Sequence, residues 1–225
     1  MSLDLEVIPS GEWPMRVGAR LGAVMGADPS KRVCLATGET TRPVYGSTIL
    51  AGAPEVFLLD EFGGLPEDDP ARCAAMLRRD LPGVPFHGPD VDAADPDLAA
   101  TEYGKLITED VLDLAVVGLG RNGHVGMNEP GSTRESRTRV VRLHETTADG
   151  ARAYGASTRP SWGITVGMYE LLQARELWLV VTGGHKAGIL DRVITGPIGP
   201  EIPATFLREH QNAVVLADPA AAGHP

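Results

Sequence analysis

"VVGLGRNGHVGMNEPGS", residues 116–132, leaves an apolar pair and runs at once into Gly118, Gly120 and Gly123, spaced as G-x-G-x-x-G. The dinucleotide fingerprint has the same spacing, but there a helix starts at the third glycine to face a pyrophosphate, and an acidic residue on the next strand binds ribose. Neither companion is present. Gly126, Asn128, Pro130 and Gly131 follow closely and oppose a long helix. The next strand-like run, 138–143, carries Arg139 and Arg142 where the ribose carboxylate belongs. The glycines are therefore expected to shape a tight loop that brings His124 and Glu129 into a cleft.

Working outward from this loop, short β-branched runs alternate with stretches of helical period. Strands are expected near 32–36, 55–59, 112–117, 138–143, 163–166, 176–181 and 212–216. Helices are expected to fill the gaps, most clearly 69–81 (with Asp69-Pro70 as N-cap and first turn), 97–108, 146–154, 185–194 and 203–210. This pattern reads as one α/β domain over 1–225, a doubly wound, mostly parallel, Rossmann-like three-layer sheet with helices on both faces. Four of the strands run into polar or glycine-rich turns: "TGETT", "DEFGGLP", "GLGRNGH" and "TGGHK". In an open parallel sheet the carboxyl ends of the strands share one edge, so these turns converge on one crevice.

Composition narrows the partners. The 225 residues are 43% hydrophobic, enough for a sizeable core without a metal or disulfide. Cys34 and Cys73, the two cysteines, have no ligand or disulfide spacing, and no charged-then-apolar leader opens the chain, which fits a cytoplasmic protein. A net charge of −10 disfavours nucleic acid and anionic membrane, and no apolar run has spanning length. No cofactor and no metal are expected; His87, His144, His185, His210 and His224 lack ligand spacing. Met15, Met25, Met76, Met127 and Met168 read as core or lining residues.

Taken together, "LATGETTRPVY", "LLDEFGGLP", "GLGRNGHVGMNEPGS", "ITVGMYELLQARELWLVVTGGHKA" and "IPATFLREH" resemble the glucosamine-6-phosphate deaminase/isomerase family. Reading Asn-Gly-His at 122–124 is similar to its galactosamine-6-phosphate branch. The related 6-phosphogluconolactonases share the glycine spacing but not the "NEP" that follows. The resemblance implies an enzyme that opens a hexosamine 6-phosphate, moves a proton between C2 and C1, and releases ammonia to leave the ketose 6-phosphate. Its partner is then a small-molecule sugar phosphate. Oligomeric state stays open, a homo-oligomer being one allowed state.

The same resemblance assigns roles. Asp60 matches the general base, and a carboxylate suits that task when its apolar neighbours Leu58, Leu59 and Phe62 raise its pKa. His124 matches the ring-opening acid/base, with Glu129 holding the imidazole. Asn122 stands where most glucosamine enzymes have aspartate, and an amide orients without adding charge. Phosphate is expected at the turn of Gly38, Glu39, Thr40 and Thr41, beside Gly123 and Lys186, although Glu39 opposes an anion. The arginine partner is either Arg152 or Arg159. Taken singly, Asp60 reads more readily as a helix cap and His124 as a structural histidine, while Glu129 and the two arginines read equally as solvated charges. Two other readings share this fold: a 6-phosphogluconolactonase-type hydrolase, in which His124 activates water, and a non-catalytic sugar-phosphate sensor.

Overall fold

A computed structural model describes residues 3–49, 52 and 54–223. Its elements run β1 (Asp4–Val7), α1 (Trp13–Ala27), β2 (Arg32–Leu35), α2 (Thr41–Gly46), β3 (Glu55–Leu58), β4 (Asp60–Gly63), α3 (Cys73–Asp80), β5 (Phe86–His87) and α4 (Pro96–Thr108). They continue with β6 (Leu114–Gly118), β7 (Arg139–Arg142), α5 (Glu145–Gly150), β8 (Trp162–Thr165), α6 (Met168–Leu172), β9 (Glu176–Val181), α7 (Ala187–Thr195) and β10 (Ala213–Ala217).

Seven strands form one sheet in the order β1-β10-β9-β6-β2-β3-β5, and every neighbouring pair is parallel. Period-2 alternation explains the layers. Val33 and Leu35 of β2, Leu114 and Val116 of β6, and Trp178 and Val180 of β9 share one core with α1 and α3. The intervening Cys34, Ala115, Val117, Leu177 and Leu179 share the other with α4, α6 and α7. Covering both faces is what lets a wholly parallel sheet exist. From β2 the chain moves outward to β3 and β5, then returns to β6 on the other side of β2 and moves away to β9 and β10. The loops after β2 and β6 therefore diverge, and a crevice opens between them.

The expected α/β class holds, with one correction. The runs at 138–143 and 163–166 are strands, but they leave the parallel sheet and join a second, antiparallel one in the order β4-β8-β7. Glycines permit this close packing: a Cβ on Gly63 would fall 2.3 Å from the Trp162 ring, and one on Gly163 would fall 2.4 Å from the Met127 sulfur. The chain crosses between sheets at a single residue. Leu59 donates to the Leu35 carbonyl in the first sheet at 3.0 Å and accepts from Val166 at 2.9 Å, and Asp60 then pairs with Thr165 in the second.

A second correction concerns the start of α3. Asp69 does not cap this helix, because its carboxylate accepts from the amides of Ala71 and Ser157 at 2.9 Å each. The helix begins at Cys73 instead, and its free amides are taken by Glu61 of β4: Oε1 accepts from Cys73 at 2.8 Å and Oε2 from Ala74 at 2.9 Å. Other expected helices survive in altered form. The stretch 146–154 divides into α5 and a 3₁₀ turn (Ala151–Tyr154), 185–194 opens with a 3₁₀ turn (Gly184–Lys186), and 203–210 is wholly 3₁₀ (Pro203–Glu209). Met25, Met76, Met127 and Met168 are buried as expected, but Met15 is 60% exposed on the outer face of α1.

Glu61 is 2% exposed, so its removal leaves amides of the α3 start without an acceptor inside the protein. Glu61→Ala should cost about 2–3 kcal/mol of stability, and Glu61→Gln, which keeps one acceptor oxygen, about half of that. Urea titration followed by circular dichroism measures both; equal midpoints for parent and Glu61→Ala would remove the cap from this account.

Candidate active site

Asp60, at the start of β4, and His124 and Glu129, on the loop after β6, come to the carboxyl edge of the parallel strands. Asp60 sits at the crossing between sheets and is 8% exposed. Leu58, Leu59 and Phe62 around it in sequence are all buried. Burial pushes its pKa up to about 6, against the opposing pull of a hydrogen bond from Cys73 and the charge of His124.

His124 rides on the loop after β6, and the glycine spacing now has its cause. A Cβ on Gly120 would lie 2.2 Å from the His124 ring, so the imidazole folds flat over that glycine. Gly123 has φ +85° and a Cβ there would lie 2.5 Å from Ile202; Gly126 has φ +59° and packs against Thr165 and Leu59. The imidazole Nδ1 is 3.3 Å from Glu129 Oε2 and 3.2 Å from the Thr147 hydroxyl. Among the described residues nothing bonds Nε2, which leaves that nitrogen for a ligand.

Asn122 makes no hydrogen bond to the imidazole. Its amide donates to Glu129 Oε2 at 2.9 Å, and its carbonyl accepts the His124 backbone N–H at 3.2 Å. It therefore fixes the carboxylate and the loop at once. Burial alone would raise the pKa of Glu129, but the imidazole, the Thr147 hydroxyl and the Asn122 amide outweigh it and hold Glu129 down at about 2.

Across the crevice lies the turn after β2. Gly38 has φ +130°, and a Cβ there would come within 3.1 Å of the Tyr154 hydroxyl. Thr40 and Thr182 hydroxyls meet at 3.3 Å and join this turn to the one after β9. Thr41 is buried and its hydroxyl is spent on the Gly38 carbonyl at 3.3 Å, whereas Glu39 is exposed. Lys186 donates to the Leu119 carbonyl at 2.6 Å, which plants the ammonium beside the His124 loop. Burial, reinforced by the nearby Arg121 and opposed by Glu39, brings the Lys186 pKa down to about 8.

The two candidate arginines part company. Arg159 is engaged by Asp149 at 2.6 Å on an exposed surface. Arg152 is exposed on the 3₁₀ turn that carries Tyr154. Sequence reading missed Arg121, Thr147, Tyr154 and Cys73; Arg121 alone had a local signal, its place inside the glycine loop. Two surface hollows lie at the opposite edge, where Lys31 and Arg175 are both paired with Asp113. Among the described residues no cluster of three or more His, Cys, Asp or Glu is arranged to hold a metal, and no helix is long and apolar enough to cross a membrane.

A family profile described as glucosamine-6-phosphate isomerases/6-phosphogluconolactonase matches residues 16–216. The chain belongs to this family. A glucosamine-6-phosphate deaminase of Rhodopirellula baltica is 35% identical, with 98% of this chain and 95% of that protein covered. One from Cutibacterium acnes is 36% identical over 90% of this chain and 84% of its own length. Among solved structures, a monomeric glucosamine-6-phosphate deaminase is similar with a TM-score of 0.89 at 26% identity, covering 99% of this chain and 100% of that one. The 6-phosphogluconolactonase of Trypanosoma brucei has a TM-score of 0.77 at 20% identity, covering 98% of each chain, a likeness of fold.

The raised pKa of Asp60 fixes the sign of a stability effect. The folded protein binds a proton on Asp60 more tightly than the unfolded chain, so this contribution is fully present at low pH and is lost as pH rises to about 6. Above that, the buried charge costs about 3 kcal/mol. Asp60→Asn should raise the melting temperature at pH 8, and the gain should vanish below about pH 4. Thermal unfolding of both proteins across this range checks it; a gain independent of pH would contradict the burial account.

Proposed function

We propose that this chain is a hexosamine-6-phosphate deaminase/isomerase, acting on glucosamine 6-phosphate and on its galactosamine epimer, in the cytoplasm. The observation that carries the reading is a buried carboxylate with pKa about 6 in one crevice with an imidazole held by a second carboxylate kept ionised. Two carboxylates pushed apart in this way suit different tasks. The names of the 35–36% identical relatives support the same chemistry.

In this reading His124 opens the sugar ring, moving a proton from the anomeric hydroxyl to the ring oxygen through Nε2 while Glu129 stabilises the charged imidazole. Asp60 takes the C2 proton to give an enolamine and returns it to C1, which leaves an imine at C2. Water adds there and ammonia departs, yielding the ketose 6-phosphate. Each step is a proton transfer or an addition of water, and the atoms balance. Lys186 binds the phosphate with the amides and hydroxyls of the Gly38–Thr41 turn, and Gly123 keeps the approach open. Arg152 is the better placed of the two arginines to reach it. Asn122 is assigned to Glu129 and the loop, so we give it a role in ring opening for either epimer.

The test offers glucosamine 6-phosphate, galactosamine 6-phosphate and 6-phosphogluconolactone side by side. Ammonia and ketose 6-phosphate are expected from the hexosamines, with kcat/KM falling below about pH 6 as Asp60 takes up a proton. Asp60→Asn should abolish turnover and keep sugar-phosphate binding. Lactone hydrolysis without ammonia from either hexosamine would overturn the proposal.

Lys186→Ala should raise KM by roughly ten- to a hundredfold, the equivalent of losing a charge-assisted bond. Steady-state kinetics with the preferred epimer measures it; an unchanged KM moves the phosphate elsewhere.

A further inference from the structure

We propose that the Cys73 thiol is a positioning residue for the base: its S–H donates to Asp60 Oδ1, so that Oδ2 is the oxygen presented to the substrate carbon. This rests on the reading of Asp60 as the proton-transfer base. Cys73 Sγ lies 3.4 Å from Asp60 Oδ1, and Cys73 is 3% exposed. Among the described residues no other hydrogen bond reaches the Asp60 carboxylate. Among the described residues Oδ2 has no protein hydrogen-bond partner, and Asp60 keeps 8% exposure, so Oδ2 is the oxygen left free for a ligand.

The pairing is built rather than incidental. Cys73 is the first residue of α3, and its own amide is held by Glu61, the neighbour of Asp60 on β4. One carboxylate thus sets the distance between the donor and the base. The groups facing Asp60 from other elements are His124 on the loop after β6, Cys34 on β2, Tyr45 on α2, Tyr103 on α4 and Tyr154 on the 3₁₀ turn. Burial keeps Cys34 and the three tyrosines protonated, and among these groups it is His124 that pulls the Asp60 pKa down. A thiol is suited to the place beside the base. Burial and the charges of Asp60 and Glu61 push its own proton release far up, so it stays a donor throughout the working range. As a weak donor it stabilises the ionised carboxylate without quenching its basicity. No proton leaves sulfur; the substrate proton comes and goes at Oδ2.

Cys73→Ala, Cys73→Ser and the parent are compared by the pH dependence of kcat/KM. Without a donor the carboxylate is harder to ionise, so the acid limb of Cys73→Ala should move to higher pH, with about a threefold extra loss at pH 6 relative to its own plateau. Cys73→Ser, a stronger donor, should move the limb the other way. A limb that coincides in all three, or a uniform loss at every pH, overturns the proposal and leaves Cys73 a packing residue. A second readout needs no turnover. The infrared S–H stretch of Cys73, identified by its absence in Cys73→Ala, should shift to higher frequency in Asp60→Asn while that of Cys34 stays put. An unmoved band also overturns the pairing. If neither hexosamine yields ammonia, the functional reading fails while the infrared result still decides the thiol.

Discussion

A buried carboxylate that has no part in the proposed chemistry holds the site together. Glu61 accepts amides from the start of α3 and from Phe62 on its own strand. Through these bonds the antiparallel sheet, the helix behind it and the crossing from the parallel sheet become one unit. Asp60 inherits its place from that unit. Burial raises the pKa of Glu61 too, but the three amides keep it supplied with partners whatever the solvent does. A charge-assisted cap of this kind is short, directional and costly to break, which suits a support that must not drift by a fraction of an ångström.

The electrostatics of the crevice follow from the same division between burial and partnership. Asp60 is enclosed by apolar side chains with a single weak donor, and burial wins. Glu129 is also enclosed, but an amide, a hydroxyl and an imidazole converge on it, and partnership wins. Lys186 falls between these cases, anchored to a carbonyl, which as an acceptor keeps its proton, yet crowded by Arg121. Three ionisable groups from three loops therefore reach three protonation regimes with no change in residue chemistry beyond what surrounds them.

Much of this was legible in the sequence, and the boundary has a physical origin. The parallel strands announce themselves because both faces are covered, which demands continuous apolar runs such as RVCL, LAVV and ELWLVV. Strand ends and glycine-rich turns marked the edge of the sheet on which Asp60, His124 and Lys186 lie, and the family resemblance singled these residues out. The second sheet was not visible: residues 139–142 and 162–165 alternate as any strand does, and nothing local says which sheet they join. The α3 cap was misread for a related reason. Asp69-Pro70 satisfies the local rule for a helix start, while the actual acceptor comes from a strand earlier in the chain. Asn122 was recognised as unusual, but that its side chain bonds the Glu129 carboxylate and the His124 backbone rather than the imidazole is a matter of loop geometry. Thr147, Tyr154 and Cys73 carry no local signature because each acts only through what folding brings beside it.

The glycines of the β6 loop carry a consequence for the order in which the protein assembles. Gly123 is shaped by Ile202, Gly126 by Leu59 and Thr165, and Gly120 by the imidazole itself. Those neighbours come from the crossing between the sheets, from the second sheet and from the residue that leads into the 3₁₀ segment near the end of the chain. Until all of them are docked, only a few local bonds, such as Gly123 N–H to the Gly120 carbonyl and Gly120 N–H to the His124 carbonyl, hold the loop in its turns, since an isolated glycine-rich segment has little preference for any one conformation. The loop is thus a coincidence detector for the finished fold: contacts distant in sequence must all be present before the imidazole can settle, and ordered backbone elsewhere should precede a competent crevice during refolding.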